Sequence, residues 1–247
     1  MLKSSLKRRS IGTYISIVIL IIIAIIIAFI MYKYYVEGEK NLPFKVSEFI
    51  IISTAQTTDT ITENENYNSE IIQKNDIYLS ITKNDKYKDD EIIKKISFCN
   101  FRISGINTKG ITNIYRPAKT EKKYDYSEEY IVTNGFEYIG DTDSDSKSEV
   151  LKIGNQGGTI NFSIATVNIG SLNYPKDEEL KADGRLLNRI EISNEDIEKE
   201  ITFDMIIELE SGLKFKSNIK IKVPVGDILS EGVVKQKIDV EKLVFKR

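Results

Sequence analysis

ITFDMIIELESGLKFKSNIKIKV, residues Ile201–Val223, decides the fold. Ile201, Phe203, Met205, Ile207 and Leu209 alternate with Thr202, Asp204, Ile206, Glu208 and Glu210. Leu213, Phe215, Ile219, Ile221 and Val223 alternate with Lys214, Lys216, Asn218, Lys220 and Lys222. Successive residues of a strand point to opposite faces, so each run has one apolar and one wet face. Glu210-Ser211-Gly212 is a short glycine-containing connection, which makes the pair a β-hairpin. The acids of the first strand would face the lysines of the second across the wet side, worth roughly a few tenths of a kcal/mol per pair.

The same period recurs outward from this hairpin. Phe44, Val46, Ile50 and Ile52 share one alternating face, with Phe49 and Ile51 on the other. Ile77, Leu79 and Ile81 alternate with Tyr78, Ser80 and Thr82, and Ile160, Phe162 and Ile164 with Asn161, Ser163 and Ala165. The phase then slips to Val167 and Ile169, which predicts a bulge or a strand end. Further strands are expected near 96–103, 129–139, 149–153 and 233–245. Gly154-Asn-Gln-Gly157-Gly158 precedes a strand and reads as a turn. Two short helices, Asp89–Lys95 and Lys176–Asp183 closed by Gly184, fit the placement of acids first and lysines last. Residues 54–75 and 105–128 are polar and read as loops. Several antiparallel strands separated by turn residues predict a mainly β, antiparallel β-sandwich, Ig-like or related.

A second feature decides where the chain sits. Ile11 to Met31 is one apolar run without charge or proline, preceded by Lys3, Lys7, Arg8 and Arg9. Twenty-one residues at ~1.5 Å each span about 30 Å, the thickness of a bilayer's hydrocarbon core. Backbone groups in hydrocarbon must be satisfied within the segment, so the run is a helix. The basic flank places the N-terminus in the cytoplasm. Tyr32, Tyr34 and Tyr35 then fall at headgroup level. A cleaved signal peptide would have a shorter apolar core of ~7–15 residues and a small-residue cleavage site. The expected organisation is a cytoplasmic basic tail (1–10), a single transmembrane helix (11–31), a juxtamembrane stalk (32–43) and an extracytoplasmic β-rich domain (44–247).

Composition removes whole classes of chemistry. The chain has no histidine, which excludes Ser-His-Asp triads, Cys-His thiol hydrolases and histidine-ligated zinc. Its one cysteine, Cys99, has no partner for an internal disulfide and sits in an apolar strand-like stretch, where it reads as a small buried hydrophobe. Four of the 35 Lys and Arg lie in the first ten residues, so 31 basic residues face 37 acidic ones beyond them. That mild acidic excess argues against a nucleic-acid partner.

Two constellations stand out as candidate sites. Asp141, Asp143 and Asp145 have the 1, 3, 5 spacing of a calcium loop, but Ser146 stands where the turn glycine belongs and Lys152 where the bidentate glutamate does. A solvated turn accounts for the same residues. Tyr124, Tyr126 and Tyr130, with Tyr138 further on, form a tyrosine-rich stretch. Such rings offer rigid contact area with a polar tip to a protein or sugar partner. Half-buried tyrosines in strands are the competing account, and the absence of tryptophan weakens glycan stacking.

The sequence therefore predicts a non-enzymatic, membrane-anchored binding or envelope-assembly module with no cofactor. Its partners would be the lipid bilayer and an envelope protein. The start also superficially resembles a type IV prepilin, through Gly12 after a basic leader and the apolar run that follows. It departs from that pattern at Ile17, where the family carries a glutamate, and at Pro43, where a long amphipathic helix would continue. A carboxylate- or lysine-based enzyme is the remaining alternative.

Overall fold

The computed structural model describes residues 2–61, 66–87, 90–105, 109–118, 126–141, 150–175, 178 and 180–247. The protein is mainly β, with two antiparallel-rich sheets and one apolar N-terminal helix. That helix, α1 (Leu2–Glu37), contains a stretch from Gly12 to Glu37 long and apolar enough to cross a membrane, none of it buried inside the protein. It continues past Met31 through Tyr32, Tyr34 and Tyr35 and leaves only residues 38–43 as a connection.

The first sheet is built on three long strands: β1 (Phe44–Ile61), β2 (Asn66–Lys83) and β7 (Gly157–Pro175). Each has 18 or 19 residues, about 60 Å at ~3.4 Å per residue. β10 (Val234–Lys237) lies on the outside of β1, and β4 (Ile111–Tyr115) on the outside of β7. The second sheet runs β6 (Lys152–Gly154), β5 (Gly135–Asp141), β3 (Ile93–Ser104), β8 (Lys199–Leu209) and β9 (Lys214–Val223). Only its β5–β6 pair is parallel.

The two sheets share one apolar core. Ile77, Leu79 and Ile81 of β2 and Phe162 of β7 meet Ile96 and Phe98 of β3 and Phe203 and Ile207 of β8. Phe162 is the hub. Its ring lies 5.3 Å from Phe98, 5.4 Å from Phe203, 5.7 Å from Phe136 and 5.9 Å from Phe101, all on the opposite sheet. Such tilted and edge-on pairs contribute about 0.5–1.5 kcal/mol each beyond area burial.

The far half of the long strands is covered differently. Ala55, Ile71 and Ile169 pack beneath three single-turn helices, α2 (Leu186–Arg189), α3 (Asn194–Ile197) and α4 (Ile228–Glu231). A buried polar layer separates this cluster from the main core. Ser53 Oγ donates to Asn75 Oδ1 at 2.7 Å and accepts from the Val225 N–H at 2.9 Å. Asn75 Nδ2 donates to the Ile164 carbonyl at 3.2 Å, and Gln73 Nε2 to Asn75 Oδ1 at 3.1 Å. Polar groups at this depth are tolerated because each is paired.

The expected hairpin is formed by β8 and β9, with Ile201 opposite Ile221 and Glu208 opposite Lys214. On its outer face Lys214 bonds Glu208 at 3.1 Å directly across the strands. Lys216 reaches Asp204 and Lys220 reaches Glu200 diagonally, each at 2.7 Å. The predicted slip in β7 is a bulge: Ile71 pairs with Gly170 and Gln73 with Thr166, so residues 167–169 oppose Ile72 alone. Asn168 turns the corner at φ 56°, a conformation asparagine tolerates better than most residues.

Several expectations are corrected. The described residues of 54–75 are strand and not loop, because β1 runs to Ile61 and β2 starts at Asn66. The stretch 105–128 contains strand β4. Of Asp89–Lys95, the described residues 90–95 are not helical: β3 begins at Ile93, whose side chain, like that of Ile96, enters the core. Within Lys176–Asp183 the described residues 178 and 180–183 are not helical, and the helical turn comes later, at α2. The region 129–139 begins with a 3-10 turn, Glu128–Tyr130, before β5, and 233–245 supplies only the four residues of β10 as strand.

Candidate functional site

The outer face of the first sheet is not flat. The β7 bulge pushes Val167 and Asn168 outward, and the segment 126–131 folds over the sheet beside β4. Backbone bonds fasten that segment: Arg116 N–H donates to the Tyr130 carbonyl at 3.0 Å, and Val132 N–H to the Ile114 carbonyl at 2.8 Å. The result is an open cleft of about 760 Å³. That size lies within the roughly 300–1,000 Å³ typical of ligand sites.

Four strands supply its floor and rim. β1 contributes Gln56 and Thr58, β2 contributes Glu70 and Ile72, and β4 contributes Ile111, Asn113 and Tyr115. Ile131 and Tyr126 close the far wall, with Ser127 and Glu128 at its lip. Tyr115, Ile72 and Ala165 form a small buried cluster beneath it. The Tyr126 ring stands edge-on to Tyr115, with centroids 5.0 Å apart.

The polar groups behind this wall are coupled. Ser163 Oγ donates to Asp76 Oδ1 at 2.8 Å, and the Tyr126 hydroxyl lies 3.3 Å from Ser163 Oγ. Lys74 Nζ neutralises Asp76 at 3.0 Å. Burial drives the Tyr126 hydroxyl far above its ordinary value, and the Asp76 charge adds to the shift. The phenol therefore stays protonated and acts as a hydrogen-bond donor. Ser163 is fully buried, so its hydroxyl is out of reach of any molecule in the cleft. This arrangement is suited to holding a ligand by contact and hydrogen bonds.

Of the tyrosines singled out in the sequence, Tyr126 lines the cleft. Tyr130 lies in the 3-10 turn, its ring under the Arg116 guanidinium at 5.2 Å. Tyr124 lies outside the described residues. Tyr138 does not join them. It is buried in the core, its hydroxyl donating to the Asn161 carbonyl at 2.5 Å and accepting from the Asn161 N–H at 3.2 Å. Asp141 ends β5 and forms an ion pair with Lys152, the residue at the twelfth loop position; Asp143 and Asp145 lie outside the described residues. Among the described residues no group of three or more His, Cys, Asp or Glu side chains is placed to hold a metal ion.

Sequence reasoning missed Gln56, Thr58, Glu70, Ile111, Asn113 and Tyr115 because all six fall in stretches read as loops. The phase slip at Val167 was the one local signal pointing here, since bulges gather where a sheet re-aims its side chains. Comparison with family models, with curated proteins and with solved structures found no match.

Proposed function

We propose that this chain is a single-pass membrane protein with a cytoplasmic N-terminus. Its extracytoplasmic part, residues 44–247, is an antiparallel β-sandwich, Ig-like or related, that binds an envelope partner and is not an enzyme. The apolar side chains of α1 are exposed on all sides, which is unfavourable in water and favourable in lipid. Lys3, Lys7, Arg8 and Arg9 on one flank support the orientation. The bilayer is thus the first partner.

The observation that carries the binding reading is the cleft itself. An aliphatic and aromatic floor on rigid strands, rimmed by amides, hydroxyls and carboxylates, has the make-up of a recognition surface. The Tyr126 hydroxyl in its wall is pushed away from the range useful for proton transfer at neutral pH. Anchoring in the membrane raises the effective concentration of an envelope partner, so modest affinity suffices.

The test is capture from detergent-solubilised envelope by the full chain in nanodiscs, with retained proteins identified by mass spectrometry. A partner retained by the wild type and lost with Tyr126→Ala, at unchanged β-sheet circular dichroism, is expected. Equal capture by both proteins would remove the cleft from the reading, and turnover of any envelope substrate would remove the non-enzymatic role.

A further inference from the structure

We infer that the cleft takes an extended peptide segment bearing Lys or Arg from its protein partner, an inference that rests on the binding role proposed above. Charge is the first argument. In a chain with 35 Lys and Arg, the described residues lining this cleft include no cation, while Glu70 and Glu128 stand on opposite sides of it. Among the described residues, three neighbouring cations are engaged elsewhere. Lys74 pairs with Asp76, Lys109 donates to the Glu191 carbonyl at 3.1 Å, and Arg116 lies over the Tyr130 ring. The described lining thus carries two carboxylates and no cation, a charge that favours a positive segment.

The floor suits the same residues. Lys and Arg have long apolar stems that pack along aliphatic surface while the charged head stays at the rim. Ile72, Val167 and Ile131 provide that surface, and the half-buried Tyr126 ring stands beside it within reach of the head. A neutral glycan would leave both carboxylates without a charged partner.

The edge of the sheet explains why the ligand is an extended peptide. Ile114 accepts from Val132 and Arg116 donates to Tyr130, so the main-chain groups of even-numbered residues here point away from β7. Thr112 has the same parity, so its N–H and C=O face the outer side of β4. Among the described residues no strand pairs with β4 on that side beyond the bridge at Tyr115 and Ile131. Beside Thr112, Ile111 is 57% exposed, one of few large apolar side chains outside α1 left so open. An added strand would take its main-chain bonds from Thr112 and lay alternate side chains at the mouth of the cleft.

The test uses the full chain in phosphatidylcholine nanodiscs and fluorescein-labelled decapeptides read by anisotropy. One alternates Lys with Val, one Ser with Val, and one Glu with Val. The Lys peptide should bind most tightly, the Glu peptide least, and binding should weaken in high salt. Glu70→Gln with Glu128→Gln should weaken the Lys peptide by roughly five- to tenfold, as expected for two rim charges. Glu48→Gln, outside the cleft, should leave it unchanged. Thr112→Pro keeps every charge but removes the edge donor, and should weaken all peptides alike. Equal binding of Lys and Ser peptides, indifference to the two Glu changes, or indifference to Thr112→Pro would each overturn the inference. Charge-independent binding of a neutral peptidoglycan fragment in the cleft would do the same. If the Lys peptide fails while envelope capture still depends on Tyr126, the peptide inference falls and the binding cleft stands. If capture is independent of Tyr126, the binding cleft falls as well.

Discussion

The backbone N–H of Glu39 donates to the carbonyl of Phe245 across 2.7 Å, joining the exit of the apolar helix to the opposite end of the chain. The Phe245 ring is buried in the main core. Lys246 exchanges backbone bonds with Lys216 of β9 and sets its ammonium 4.0 Å from the Tyr35 ring centre. Arg247 N–H donates to the Tyr34 hydroxyl at 2.9 Å, and its guanidinium lies 3.3 Å from Glu39. Residues 38–43 are thus pinned at their start, and the β-rich part is held in one orientation on its helix.

Gly38 is the residue that this clasp requires. It has φ +73°, and a Cβ there would collide with the Phe245 carbonyl. Gly38→Ala should therefore loosen the clasp at a cost of at least about 1 kcal/mol, more than positive φ alone imposes. Phe245→Ala should cost about 3–5 kcal/mol through the cavity it leaves. Spin labels on α1 and β9 should give one narrow distance in the wild type and a broad distribution in both variants. A narrow distribution in both would mean that the clasp does not set the orientation.

Acid should destabilise the protein through the outer face of the second sheet. Burial pushes the Asp204 carboxyl up, but hydrogen bonds from Asn218, Lys216 and Asn100 together outweigh it and hold the carboxyl below its ordinary 3.8. Lys94 and Lys214 lower Glu208 in the same way. A carboxyl depressed in the folded state contributes stability that is present above its unfolded value and lost as pH falls through the folded value. Urea midpoints should therefore fall as pH drops below about 5, and Asp204→Asn should flatten part of that slope. An unchanged slope in the variant would contradict this assignment.

How much of this was legible follows from which faces are apolar. Ile201–Val223 could be read because its inward positions are hydrophobic on both strands save Ser217, and β7 because Ile160, Phe162 and Ile164 are. The outer reaches of β1 and β2 could not. Their inward positions include Ser53, Gln73 and Asn75, which are buried only because they bond one another and the backbone. No period-two signal survives that exchange. Asp89–Lys95 imitated a helix by its charge order, while the core demanded Ile93 and Ile96 on a strand. Tyr126 was visible as one of a set of tyrosines. Its cleft was not, because Gln56, Glu70, Asn113 and Asn168 meet only when four strands align.

The Phe162 hub supplies a prediction for the core. Its ring touches four phenylalanines of the other sheet, so truncation removes contacts on both sides of the interface at once. Phe162→Ala should cost about 3–5 kcal/mol, and Phe162→Leu distinctly less, since it keeps more of the volume. Chemical denaturation of the two variants measures this directly. Costs below 1 kcal/mol for Phe162→Ala would mean that the sheets do not depend on this contact.

Cys99 tests the electrostatics of the same outer face from a different side. The sequence reads it as a buried hydrophobe, yet it is half-buried on β3, opposite Asp204. Burial pushes the thiol up, the Asp204 charge adds to this, and Lys216 opposes it. The thiolate is the reactive form, so alkylation by iodoacetamide at pH 8 should be slow in the folded protein. Asp204→Asn removes the anion and leaves the Lys216 cation, which lowers the thiol's value and raises the thiolate fraction. Alkylation should therefore accelerate severalfold in Asp204→Asn, and Lys216→Gln should slow it. Circular dichroism on each variant separates this effect from loss of structure, because unfolding would accelerate both. Equal rates in all three folded proteins would show that solvent access alone governs the thiol.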